Sequence, residues 1–267
     1  MGLCKDPALT HLNKFGYNVV RLPRTGIEPL DVLGRDGKSF EKLGAIAQVW
    51  TSTEPAPGVG APQPAANING QKSDNLDLTL GLKMLGNVLS AMGAAVGLPS
   101  LALGYKQARS VTFRYTDVVS VSVAPFALGK FLTSGTLDMN NPFVTHYFGN
   151  EETEEYIIFD VLKSNTLGVT AKNDKGTEVK LDVPAIQQIV GANVSVNVGS
   201  ASETEVVYEG KNALTFGFKV FEVTFENGKW TAKGTKAEGS LALAVGVGEA
   251  ATKPEGILLS PAGMVRI

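Results

Sequence analysis

The sequence holds one cysteine and two histidines in 267 residues, and that scarcity excludes a good deal. A lone Cys4 rules out an internal disulfide and any multi-cysteine metal site, and His11 and His146 alone leave little to ligate a metal ion. Placed on one helix, Cys4 and His11 would stand roughly 10 Å apart along its axis, beyond the reach of a nucleophile and its base. No nucleophile elbow, phosphate-cradling glycine loop or HExxH helix occurs, so the chain reads as something other than an enzyme. Charge of one sign is lacking too. The 24 Lys and Arg against 26 Asp and Glu give a net −2, scattered along the chain and without the basic footprint of nucleic-acid binding. There is no run of about 18 apolar residues and no secretory segment at the start. The expectation is a cytoplasmic chain with a substantial core.

What is present is two-faced. In Ser110–Ala124, Val111, Phe113, Tyr115, Val119, Val121 and Val123 share one parity, broken by Asp117; Ser110, Thr112, Arg114, Thr116, Ser120 and Ser122 share the other, broken by Val118. A period of two predicts a β-strand, and this one is more than twice the usual length of about 5–6 residues. Two readings stand. One is a long strand whose apolar face lies under helices; the other is a strand able to cross a bilayer, which takes about 9–11 residues with one face toward lipid. A second segment, Ala192, Val194, Val196 and Val198 against Asn193, Ser195 and Asn197, repeats the pattern.

The remaining elements are read from local signals. Asp6-Pro7 predicts a short opening helix through Leu9, Leu12 and Phe15, ended by Gly16. Strands are predicted at Tyr17–Leu22, Pro29–Leu33 and Ala45–Thr51, with a turn at Asp36-Gly37. Ser52–Asn75, rich in Pro, Gly, Ala and Asn, reads as a loop of unusual length. Leu82, Leu85, Leu89, Met92 and Val96 define one helix face that Gly97 and Pro99 stop, with Gly81, Gly86 and Gly93 weakening the helix enough for it to move. Pro125–Thr133 reads as a helix built on Phe126, Leu128, Phe131 and Leu132. Tyr156–Leu162 is apolar on both parities, as in a strand covered on both faces. Val169–Lys172 and Val179–Val183 flank a hairpin loop at Asn173–Gly176, and Pro184–Val190 is one or two helical turns. Glu205–Glu209 and Leu214–Phe225 are strands, the latter with a phase fault that predicts a bulge or sharp bend at Val220–Phe221; Asn227-Gly228 turns back to a last strand bearing Trp230 and Ala232.

Two features carry open alternatives. Cys4 is either a small, partly buried thiol or an S-acylation site beside an amphipathic helix, since MGLC lacks the Ser or Thr of a myristoylation signal. From Gly239 onward small and apolar residues dominate. Ile257, Leu258, Leu259, Met264, Val265 and Ile267 should dock onto the body, either as a strand sealing a sheet edge or as a regulatory element.

The opening MGLCKDPALTHLNKFGYNVVRLPR, a cysteine before a short helix and then a YxVVRLPR strand, resembles the bacterial gasdermins. The order of the later elements is similar too, from the Pro-rich loop through a glycine-containing helix and long two-faced strands to an apolar tail. The resemblance implies an α+β fold, a twisted, mostly antiparallel central sheet with peripheral helices. It implies a pore-forming domain over residues 1–238, held inactive by an autoinhibitory peptide over 239–267. It also implies a role in antiphage defence: a partner protease, often caspase-like, removes the peptide, and the monomer leaves the cytoplasm to self-assemble into a β-barrel pore among the lipids of the inner membrane, killing the cell. No cofactor is implied beyond a palmitoyl group, which would fall on Cys4 and lie in a hydrophobic pocket. Leu241, Leu243 and Lys253 are candidate cleavage positions for different proteases. In such a pore Val111, Phe113, Tyr115, Val119, Val121, Val123, Val194, Val196 and Val198 would face lipid, with Asp117 needing an interfacial position. The rival reading is a soluble sheet protein that binds a lipid without inserting.

Overall fold

The computed structural model describes residue 12 and residues 15–36, 39–73, 75–94, 96–150, 152–190, 196–226, 229–234 and 264–266. In chain order the elements are β1 (Asn18–Arg24), β2 (Asp31–Asp36), β3 (Ser39–Ala45), β4 (Trp50–Ser52), β5 (Gln63–Pro64), β6 (Leu76–Asp77), α1 (Leu78–Ala91), α2 (Leu98–Gly104), β7 (Ser110–Thr116), β8 (Val119–Ser122), α3 (Pro125–Thr133), β9 (Gly135–Leu137) and α4 (Pro142–Phe148). Then come β10 (Thr153–Lys172), α5 (Val183–Val190), β11 (Val196–Ser202), β12 (Glu205–Glu226), β13 (Lys229–Gly234) and β14 (Met264–Arg266). Of the predicted opening helix only its end is described: Leu12 is helical and buried, Phe15 lies in the turn that follows, and Gly16 is left-handed at φ 79° where the stop was predicted.

β10 and β12, of 20 and 22 residues, pair antiparallel and form the spine. Along the far edge of β10 lie β2, β8 and β7 in turn; along the far edge of β12 lie β13, β1 and β11. β3 adds to β2, and β14 to β3. All these pairings are antiparallel, which gives the expected α+β architecture with a mostly antiparallel sheet.

The spine is longer than its apolar segments. Lys163–Gly168, polar and turn-like in composition, stays in β10 because Ser164 is sealed inside and satisfied: its Oγ accepts from the Thr166 N–H at 2.9 Å and donates to the Thr116 carbonyl at 2.6 Å. β12 likewise fuses two predicted strands. Thr166 pairs with Glu209 and Ser164 with Leu214, so residues 210–213 bulge from this ladder, and Gly210 pairs with Val196 instead. The predicted bulge at Val220–Phe221 is absent. Register there is continuous on β12, and the extra residue is Phe159 on β10, whose ring stacks on Phe221 at 4.0 Å. Both faces are covered at this point: Phe218 and Val220 pack with Val20, Leu33 and Val161, while Val223 packs with Trp50, Leu128 and Phe131. The change of parity marks the passage from one core to another.

Other expectations are adjusted. Ser110–Ala124 is two strands, parted at Asp117, whose φ of 52° is a left-handed conformation that Asp tolerates better than most residues. Ala45–Thr51 holds a 3-10 turn at Ile46–Gln48 between β3 and β4. The Asn173–Gly176 loop forms, with Asn173 Oδ1 accepting the Lys175 and Thr177 N–H groups, but 179–182 returns without forming a strand. α3 has its predicted bounds and buries Leu128, Phe131 and Leu132, while Phe126 is 83% exposed. α1 begins at Asp77, whose carboxylate accepts from Thr79 and Leu80, and buries Leu82, Leu85, Val88 and Leu89. It stops at Ala91, earlier than predicted, because Gly93 turns left-handed at φ 95°, and Gly97 instead starts α2.

Gly81 fits α1 onto β7: a Cβ there would overlap Val111 Cγ2. Gly81→Ala should therefore destabilise the fold, although alanine is worth about 1 kcal/mol in helix propensity, because overpacking typically costs about 1–3 kcal/mol. Chemical denaturation of the two proteins checks this; a more stable variant would refute the packing argument. Glu155 offers a second test. It is 7% exposed, its Oε1 has no hydrogen-bond partner among the described residues, and burial, aided by Glu154 and Glu222, pushes its carboxyl up to about 7. A carboxyl raised in the folded state binds its proton more tightly there, so stability should fall as pH rises from about 4.5 through 7. Glu155→Gln should raise the thermal midpoint clearly at pH 8 and much less at pH 5, and an equal gain at both would refute the assignment.

Candidate functional site

The two-faced strands are fully engaged. Val111 and Phe113 are buried with Leu167, Val169 and Ala171 of β10 against Leu82, Leu85 and Leu89 of α1. The Tyr115 ring stacks on Phe216 at 4.0 Å, with planes 7° apart. Val121 is buried among Val20, Ile27 and Leu33, and Val123 packs with Leu128 and Phe131 of α3. Val119 is only partly buried. On β11, Val196 is buried and Val198 partly so, both in the core under α1, while Val194 lies outside the described residues. The fold thus gathers β7, β8 and β11 around the spine with their apolar rows turned inward.

In the opposite row of β7–β8, Ser120 and Arg114 are tied to neighbouring polar groups, whereas the buried Thr112 Oγ1 has no hydrogen-bond partner among the described residues. Ser120 Oγ donates to Asp160 Oδ1 and the Tyr17 hydroxyl to Asp160 Oδ2, each at 2.7 Å; burial beside that carboxylate pushes the Tyr17 phenol up. Arg114 Nη2 meets the largely buried Glu205 at 2.6 Å. Asp117, the charge in the apolar row, stands exposed at the corner between the strands.

Beneath residue 12 opens a narrow apolar pocket of about 50 Å³. Leu12, Val19, Met84, Phe113, Tyr115 and Phe216 line most of it, and Ile68, Gln71 and Ser73 complete one wall. A larger groove of about 450 Å³ between α2 and α5 is open and of mixed polarity, with Lys106, Lys180 and Asp182 at its rim. Among the described residues no three His, Cys, Asp or Glu side chains gather as metal ligands, and no helix is long and apolar enough to cross a membrane, which says nothing of strands.

Met264 and Val265 lie on β14, where Met264 pairs with Glu41, Val265 with Phe40 and Arg266 with Ser39 on the outer edge of β3. Cys4, Leu241, Leu243, Lys253, Ile257, Leu258, Leu259 and Ile267 lie outside the described residues. The predicted loop is more than a surface excursion. Over residues 59–73 and 75–77 it runs antiparallel along the outer edge of β8 and β7, through β5, β6 and the bridges Val59↔Val123 and Lys72↔Arg114. Its Asn69 and Ser73 carry no signal in sequence, since nothing local tells a hydrogen-bonding Asn or Ser from a solvated one.

Residues 20–231 match the family model described as the Bacterial Gasdermin Family. A gasdermin of Vitiosangium sp. is 40% identical over 99% of this chain and 98% of the relative, and one from a Desulfuromonadales bacterium is 38% identical over 86% and 85%. The solved structure of a bacterial gasdermin from Bradyrhizobium tropiciagri superposes with a TM-score of 0.61 at 16% identity, covering 85% of this chain and 90% of that one. With the antiparallel spine and its two-faced flanking strands, these matches establish that the chain belongs to the bacterial gasdermin family, whose members are pore-forming effectors and not enzymes.

Proposed function

We propose that this protein is an autoinhibited effector of antiphage defence. Residues 1–238 are the pore-forming domain, and residues 239–267 are the peptide that holds it inactive. A protease, caspase-like or of another class, cuts at a position such as Leu241, Leu243 or Lys253. The released domain then moves from the cytoplasm to the inner membrane and assembles into a β-barrel pore that kills the cell. The observation that carries this reading is the pairing of Met264–Arg266 on β3. The last described residues occupy a sheet edge, and an edge strand held by three residue pairs is easily lost once its tether is cut.

Strand chemistry supports the same reading. In lipid every backbone polar group needs an internal partner, so strands cross only as closed barrels. β7–β8 has the alternation, and has the span once the left-handed corner at Asp117 is straightened, whereas β11 would have to extend. A palmitoyl group on Cys4, which lies outside the described residues, belongs to this reading, and the apolar pocket lined by Leu12 is of the polarity that would receive it. Burial of such a chain contributes about 0.8 kcal/mol per methylene, in the pocket before activation and in lipid afterwards. The pocket alone also fits the rival, a soluble lipid-binding protein with a permanent C-terminal strand.

The experiment is dye release from liposomes of bacterial lipid, comparing the intact protein with protein cut at an inserted site near residue 245. Release only after cutting supports the autoinhibited pore, and a folded, cut protein that releases nothing moves the reading to the lipid binder. Burial decides where to mutate. Val121 and Val196 are buried at rest, so an aspartate there would cost several kcal/mol and confuse unfolding with loss of insertion. Val119→Asp, at a partly exposed site, should leave the thermal midpoint nearly unchanged and cut dye release at least tenfold; undiminished release would remove Val119 from the lipid face. Cys4→Ala should abolish a palmitoyl mass increment on protein purified from bacteria and slow leakage severalfold, and a wild-type protein of unmodified mass would exclude the acyl role.

A further inference from the structure

The outer edge of β7–β8 is occupied by a segment unsuited to any other strand role. From Val59↔Val123 to Asp77↔Ser110 it contributes backbone donors to the edge: Gly60 N–H to the Ser122 carbonyl at 2.8 Å, Ala65 N–H to Val118 at 2.9 Å, Gly70 N–H to Tyr115 and Ser73 N–H to Phe113, both at 2.8 Å. Where its backbone turns away, side chains stand in for carbonyls. Asn69 Oδ1 accepts the Val118 N–H at 3.2 Å, and Ser73 Oγ accepts the Phe113 N–H at 2.9 Å. The far end is held by Lys172 Nζ on Asn75 Oδ1 at 2.9 Å and by Lys72 on Glu178 at 3.2 Å, Glu178 in turn accepting from Thr204.

Its composition suits covering an edge and nothing deeper. Pro55, Pro57, Pro62 and Pro64 lie in or just before it, and proline cannot donate to a further strand, so the segment does not pass the open edge outward. It has no alternation of apolar and polar residues, and residues 60–64 are exposed; it could not take a place in lipid beside β7–β8. In a closed barrel each strand needs strand neighbours on both edges. β10 supplies one edge of β7–β8, and the other is filled by this largely irregular segment, whose strands among the described residues are the two-residue β5 and β6.

We infer that the outer edge of β7–β8 is the surface on which one copy of this chain pairs with another, and that residues 59–77 are a guard that must leave it first. The inference rests on the proposed pore-forming function. The guard is also coupled to the apolar pocket, because the buried Ile68, together with Gln71 and Ser73, forms its wall. Whatever fills the pocket binds the guarded state better, and by linkage its departure loosens the guard. Removal of the C-terminal peptide and release of the guard are then separate locks on two different edges of the sheet.

The test staples the guard to β8. Gln63 and Ser120 are register partners, and antiparallel partners lie about 4.5–5.5 Å apart at Cα, within the span of a disulfide. Gln63→Cys with Ser120→Cys is placed in the full chain carrying the protease site near residue 245, and the bond between positions 63 and 120 is verified by peptide mapping. After cutting, the oxidised protein should release no dye, and reduction should restore release to the level of the cut parent. Equal release before and after reduction would show that the segment travels with β8, which overturns the inference and leaves the pore reading intact; a silent cut parent would instead defeat the pore reading itself. Asn69→Ala with Ser73→Ala is the complementary variant. It should speed hydrogen exchange at the Phe113 and Val118 amides and shorten the lag to leakage at least threefold, and faster exchange with an unchanged lag would also overturn the inference.

Discussion

The architecture depends on keeping the backbone hydrogen bonds of β10 and β12 satisfied while both faces of these strands are buried. Strands of 20 and 22 residues expose about that many donors and acceptors on each outer edge, and an orphaned buried group costs roughly as much as a lost hydrogen bond. Six shorter strands are therefore laid along the two outer edges. Polar residues are tolerated inside only where they have partners. Thr215, with no exposure, donates to the Ile27 carbonyl at 3.0 Å, and the buried hydroxyls of Tyr105 and Tyr208 meet at 2.8 Å. Arg114 and Glu205 make a bridge for which Gly168 leaves the room, since a Cβ there would overlap the Glu205 carboxylate. Glu155 Oε1 and Thr112 Oγ1 are the exceptions among the described residues, and burial raises the pKa of Glu155.

This constraint explains what could be read in advance. Elements with their own stop signals were legible: α3, bounded by its proline and by the turn before β9, and the buried face of α1, written as Leu82, Leu85 and Leu89. The family was legible in the first two dozen residues, although more than half of them lie outside the described residues. What could not be read is whatever partner strands decide. Lys163–Gly168 has a turn composition, and only the strands on either side make it extended. The parity fault at Val220–Phe221 is real, yet nothing in β12 alone tells a bulge from two opposed cores, because the compensating residue, Phe159, lies on another strand. The guard segment shows the same thing more sharply. Its sequence is that of a loop, and its order comes from the donors and acceptors that β7–β8 presents to it.

The apolar row of β7–β8 had two readings, a face under helices and a face toward lipid, and the resting structure is of the first kind. The two are compatible in one protein. Lipid chains are about as apolar as a protein core, so apolar transfer gives little preference between a cover of helices and a cover of lipid. Val111 and Phe113 lose contact with Leu82 and Leu89 in such an exchange and gain acyl chains. The small residues of α1 are consistent with a cover that can come away: Gly81 meets β7 through backbone proximity, without an interlocking side chain.

Apolar burial being nearly balanced, edges decide the state. In water an uncovered strand edge is solvated at modest cost, whereas in the bilayer each unpaired N–H or C=O costs several kcal/mol. A single copy carrying β7–β8 into lipid with one edge bare would meet that cost at every second residue. Under the pore reading, insertion and pairing between copies are therefore one event, and a monomeric inserted intermediate is the species that this physics forbids. The same argument makes a covered edge the natural place for control. A contact of three residue pairs on β3 and a side-chain-assisted cover on β7–β8 need little stability of their own, because each has only to outlast the encounter between copies and not to oppose the stability of the finished barrel.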